Sequence, residues 1–196
     1  FWRILFIAIA WISSIVFPKR LDFLGKLIWS NFDGTHYLVI ASQGYLNYQQ
    51  AFFPLFPFLI ALFERILGNY VQSALLIVHI ALFVALLLLW KLVKIDFGDT
   101  IAIWAIVFLL SFPTSFFFGG IYTESLFLML VLGSFYAARK NRWMLASLLG
   151  GFASATKLVG IFLLPALLFE AWEQGKFKVS KKKLRIMRKD MFWLSI

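Results

Sequence analysis

Residues 52–67, FFPLFPFLIALFERIL, decide the fold of this chain. The run is oily enough to enter a bilayer. It is also short, holds Pro54 and Pro57 near its start, and carries Glu64 and Arg65 near its end. Counting Lys and Arg gives two self-consistent topologies. If 52–67 does not span, 14 of the 19 basic residues fall on one face and five on the other; if it spans, the division is 16 to three. Positive-inside bias is strong either way and does not choose. Site chemistry does, because only the non-spanning arrangement puts Asp33, Glu124 and Lys157 on one face. The prolines and the Glu-Arg pair also suit a surface or re-entrant helix better than a lipid-facing one.

Composition sets the class. Of 196 residues, 62% are hydrophobic and 14% charged, with 24 Phe and 8 Trp and a mean hydropathy of +0.88. These values lie far from those of soluble domains and predict an all-α, polytopic transmembrane helical protein. The expected spans are 4–17, 71–90, 101–112 and 122–138, with a broken helix pair over 143–172 turning near Lys157. At about 1.5 Å per residue, 71–90 is long enough for a hydrocarbon layer of roughly 30 Å. His79, deep in that span, is expected to make an interhelical hydrogen bond. The net charge of +10 would suggest nucleic acid in a soluble protein, but eight basic residues crowd into 176–189. That crowding marks 173–190 as a cytoplasmic polybasic loop facing membrane lipids, and excludes nucleic acid as a partner. With no Cys there is neither a disulfide framework nor a thiolate metal site. The chain opens on Phe1 and closes inside an apolar run, so residues 1–196 are expected to be a single, truncated transmembrane domain.

The polar content gathers in residues 31–57, NFDGTHYLVIASQGYLNYQQAFFPLFP, within an extracytoplasmic loop spanning 18–70 that carries amphipathic juxtamembrane helices. Asp33, Glu124 and Lys157 each have a bland role open to them: a helix N-cap, a first-turn carboxylate and a snorkelling cation. Each also has a chemical role, since ionisable groups at membrane depth are costly and usually face a polar cavity. His36 and Tyr37 follow Asp33 by three and four residues, which places them on its helical face.

The string Phe32-Asp33-Gly34-Thr35-His36-Tyr37, with Gly44-Tyr45 and Ala51-Phe52-Phe53-Pro54 behind it, resembles the PIG-V family of glycosylphosphatidylinositol mannosyltransferases and its prokaryotic relatives. The later Phe112-Pro113-x-Ser115 to Tyr122-x-Glu124-Ser125-Leu126-Phe127 is similar to that family's second motif, with Phe32 where relatives often carry Trp and Lys157 where Arg is common. The resemblance implies a GT-C-like fold and an active site in the first non-cytoplasmic loop. It implies inverting transfer of mannose, or a similar hexose, from a polyprenyl-phosphate donor to a lipid or glycan acceptor. Asp33 is then the catalytic base, with His36, Tyr37, Glu124 and Lys157 binding substrate. No cofactor is assigned. Asp33, Glu124 and His36 are ligand types that admit a divalent cation, but without a diagnostic spacing, so no metal residue is named. A multi-pass protein of this kind sits in the plasma membrane of a prokaryote or the endoplasmic reticulum membrane of a eukaryote. The rival class is a polytopic transporter or flippase of lipid-linked substrates, which would also use a broken helix pair but should show inverted repeats.

Overall fold

The computed structural model describes residues 32–175 and, before them, only Ala8 and Ile12. The expected first span at 4–17, the opening of the 18–70 loop and the basic cluster at 176–189 lie outside the described residues. Within them the chain forms six α-helices, two 3₁₀ segments and no strand. These are α1 (Asp33–Gln43), α2 (Leu55–Leu67), α3 (Tyr70–Ser111), α4 (Glu124–Arg139), α5 (Trp143–Ser154) and α6 (Leu163–Glu173). The 3₁₀ segments are Pro113–Phe118, ahead of α4, and Leu158–Phe162, between α5 and α6.

The spine is α3, 42 residues long. Its buried positions Ala74, Ile77, Val78, Ala81, Leu82 and Ala85 recur at three- and four-residue intervals, giving one stripe toward the rest of the bundle. The alanines in that stripe let neighbouring helices come close. Ile80, Phe83 and Leu87 point the other way and are exposed, as suits a lipid-facing surface. The sequence predicts two spans separated by a loop at 91–99; instead the chain stays helical on both sides of a single break at Gly98 (φ 80, ψ 177). Only glycine takes that backbone state without strain. The polar residues expected to open a loop are paired instead, Lys94 with Asp99 at 2.8 Å and Asp96 with Arg139 of α4. Among the described residues, α3 is the one helix long and apolar enough to cross a membrane, and α5 is a shorter apolar helix. The helix expected over 122–138 runs as the 16-residue α4.

His79 corrects another expectation. Its Nδ1 meets the Leu75 carbonyl at 2.7 Å, one turn back in the same helix, and no bond from its ring to another helix forms among the described residues.

A larger apolar cluster joins α1, α2, α3 and α4 with the α5–α6 turn through Tyr37, Phe56, Ile60, Val78, Leu126 and Leu163. A smaller one, Ala137, Ala138, Ala146 and Leu167, knits α4, α5 and α6 at the opposite end. There the Ser134 hydroxyl donates to the Ala146 carbonyl at 2.7 Å, and Arg139 holds Asp96 and Glu170. The bundle thus has two polar ends. Asp33, Glu124 and Lys157 share one; Asp96, Arg139 and Glu170 share the other.

Candidate active site

The first end is assembled from four chain segments. α1 starts at Asp33 and stops at Gly44, whose positive φ of 81 turns the chain while its N–H bonds the Ile40 carbonyl. The residue at the helix cap is Phe32 (φ 49), not Asp33, and no side-chain cap bond forms. A positive φ is uncommon for a bulky residue, so strain sits immediately before the candidate base. The capping role open to Asp33 in the sequence is therefore not the one it has. Its exposed carboxylate makes no side-chain hydrogen bond or ion pair among the described residues.

Tyr37, one turn on, is buried between Phe52 and Phe56, with edge-on ring contacts of 5.2 Å to each. Burial pushes its phenol up to about 12; the adjacent Thr123 hydroxyl opposes the shift, and the Asp33 and Glu124 carboxylates add to it. The group stays a neutral donor across the physiological range. Tyr122, in the loop before α4, feels the same two carboxylates.

Glu124 opens α4, where the positive end of the helix macrodipole suits a carboxylate. Its Oε1 receives Lys157 Nζ at 2.6 Å. Its Oε2 is buried without a hydrogen-bond partner among the described residues. Such an acceptor is costly unless something donates to it. Lys157 reaches Glu124 because the chain turns sharply after α5: its N–H bonds the Ala153 carbonyl at 3.0 Å, and Gly160 N–H bonds the Lys157 carbonyl at 2.9 Å. The turn leaves no room at Gly160, where an added Cβ would stand 2.5 Å from backbone atoms of Ala153 and Ser154. The same turn holds α2, since Leu55 N–H donates to the Ala155 carbonyl at 3.0 Å.

His36 goes elsewhere. Its ring stacks on Phe52 at 4.7 Å, and its Nδ1 faces the amide of Gln49 at 3.4 Å. Gln49, itself buried, also accepts from the Leu46 N–H, while the Tyr45 hydroxyl donates to the Phe52 carbonyl at 2.7 Å. His36 therefore helps hold the 44–54 loop rather than joining Glu124. Among the described residues no three His, Cys, Asp or Glu side chains gather as a metal-binding group. The structure thus brings Asp33, Tyr37, Glu124 and Lys157 to one end and turns His36, on α1, against the neighbouring loop. The sequence reading missed Thr123 and Gln49. Thr123 sat inside the second motif, but nothing in the sequence marked Gln49, whose role arises from its contact with His36, 13 residues back; Gly160 was marked only as a break in the apolar run, not as the point where the turn comes closest to Ala153 and Ser154.

The arrangement sets an exposed carboxylate near a neutral phenol and a paired cation. A family model described as dolichyl-phosphate-mannose-protein mannosyltransferase matches residues 50–194. The chain belongs to this mannosyltransferase family. That places it among GT-C-type glycosyltransferases, which are membrane proteins. In this mannosyltransferase-family chain the matched residues include Glu124 and Lys157, whereas Asp33, His36 and Tyr37 lie before them. No curated protein and no solved structure matches the chain.

Proposed function

We propose that the protein is a multi-pass membrane mannosyltransferase of PIG-V-like type. It transfers mannose or a similar hexose from a polyprenyl-phosphate donor to an acceptor hydroxyl on the extracytoplasmic face, with inversion. The reading rests on one observation: Asp33, Tyr37 and the Glu124–Lys157 pair, drawn from three distant segments, meet at one end of the helical bundle. Family membership supports the donor class, and the two motifs support the PIG-V-like assignment.

In this mechanism the acceptor hydroxyl lies against Asp33 and attacks the anomeric carbon from the face opposite the phosphate. As the new carbon–oxygen bond forms and the bond to phosphate breaks, the hydroxyl proton passes to Asp33. Polyprenyl phosphate leaves with the bonding electron pair. The leaving anion gathers charge late, and Lys157, kept in place by Glu124 Oε1, offsets it. Glu124 Oε2, buried and without a hydrogen-bond partner among the described residues, accepts a hydrogen bond from a sugar hydroxyl. Tyr37, uncharged, donates without adding negative charge beside the phosphate. His36 contributes by holding the loop that borders the site.

Transfer of radiolabelled mannose from polyprenyl-phosphate mannose, measured in membranes containing the wild-type or Asp33→Asn protein, tests the proposal. Loss of roughly a hundredfold or more in the variant is expected. Equal transfer by the two proteins would remove Asp33 from the chemistry, and no transfer by the wild type would remove the reaction.

A further inference from the structure

We infer that the cleft between α3, α4 and α5, at the end of the bundle opposite Asp33, binds an anionic phospholipid. Its phosphate lies between Lys140 and Arg142, and an acyl chain lies along Val84, Leu88, Met129 and Leu149. The inference rests on the membrane reading of the protein, not on its glycosyl transfer.

The cleft has a volume of about 520 Å³, within the ~300–1,000 Å³ span of small-molecule sites. Its floor is oily. At Gly133 the α4 backbone comes so close that an added Cβ would meet Leu149 at 3.1 Å and Leu88 at 3.6 Å. Its mouth is cationic. Lys140 and Arg142 flank Asn141 (φ 60) in the turn between α4 and α5, and both are exposed. Backbone bonds hold that turn, from Lys140 N–H to the Tyr136 carbonyl at 3.1 Å and from Arg142 N–H to the Ala137 carbonyl at 2.8 Å.

Of the acids at this end, Asp96 and Glu170 are committed to Arg139 and Asp99 to Lys94, while Glu173 lies in a neighbouring pocket with Arg139 and Asn141 and does not line the cleft. No carboxylate pairs with Lys140 or Arg142 among the described residues; Lys140 Nζ instead sits 5.8 Å over the Tyr136 ring, which also lines the cleft. Two exposed cations at the rim of an apolar slot complement a phosphate diester joined to a hydrocarbon chain. Free phosphate would leave the apolar walls uncovered. A zwitterionic head group would bring a second cation to a cleft lined, among the described residues, by no carboxylate.

The purified protein, released from mixed micelles containing phosphatidylglycerol or phosphatidylcholine, can be weighed with its retained lipids by native mass spectrometry, a readout independent of catalysis. Wild type is expected to retain phosphatidylglycerol in preference to phosphatidylcholine. The Lys140→Gln/Arg142→Gln variant should weaken phosphatidylglycerol retention by roughly ten- to thirtyfold. Leu145 lines the cleft from its exposed side, so Leu145→Trp fills it without opening the interior and should abolish retention. Unchanged retention in the charge variant would overturn the site. So would full retention in Leu145→Trp, which would assign the binding to general surface charge.

Discussion

At the residue scale, Asp33 and Lys157 separate chemistry from architecture. Phe32 occupies the cap position, so Asp33→Asn removes only a first-turn charge worth about 0.3–1 kcal/mol to the helix. Expression and thermal midpoint should stay near wild type while transfer falls; a fall in both would mark Asp33 as structural. Lys157 and Glu124 act as a unit, and their side chains are 33% and 31% exposed, so water screens the pair in part. A double-mutant cycle with Glu124→Gln and Lys157→Gln should give a coupling on the order of 1 kcal/mol in stability. Lys157→Arg should keep much of the activity, because a guanidinium serves both carboxylate and phosphate. Lys157→Gln should weaken donor dependence about ten- to a hundredfold. Tyr37 offers a spectroscopic check. Its raised value means the folded protein still holds the phenolic proton between pH 10 and about 12, where an unfolded chain has released it. Stability should therefore fall as pH climbs through that window. A difference titration of wild type against Tyr37→Phe, read by tyrosinate absorbance, should show the missing group ionising near pH 12 rather than 10.

At the scale of elements, the α5–α6 turn positions the cation. Gly160 is tolerated there for lack of a side chain, not for an unusual φ, since a Cβ would strike backbone that cannot rotate away. Gly160→Ala should cost about 1–3 kcal/mol and shift Lys157 relative to Glu124. Activity should fall by more than the loss of folded protein accounts for. Wild-type-like melting and turnover would show that the turn relaxes at no cost. The Gly98 break acts differently. An added Cβ there meets nothing within 4 Å, so Gly98→Ala is opposed by backbone conformation alone.

At the scale of the whole molecule, the two polar ends carry the topology. These 196 residues hold no cysteine, so a single introduced thiol is the one reactive thiol among them. Tyr48→Cys, in the exposed 44–54 loop, should react with an impermeant reagent in intact cells, and Asn141→Cys, in the α4–α5 turn, should react only after permeabilisation. Labelling of both from outside would overturn the orientation and with it an extracytoplasmic site.

The sequence by itself determined the helical class and the placing of Glu124 in the first turn of its helix. Each follows from local composition and spacing, which neighbouring residues are enough to set. It also located the turn near Lys157, because two adjacent glycines and Gly160 interrupt an apolar run too long for one helix. It did not show that Lys157 would pair with Glu124, that His36 would turn to Phe52 and Gln49, or that residues 91–97 would stay helical. Those outcomes depend on partners that only the folded chain brings near: a carboxylate 33 positions away, a loop amide 13 positions on, and Arg139 reaching Asp96 across 43 residues. An ionisable or aromatic side chain settles where its desolvation is best offset, and in this protein only the tertiary structure decides where that is.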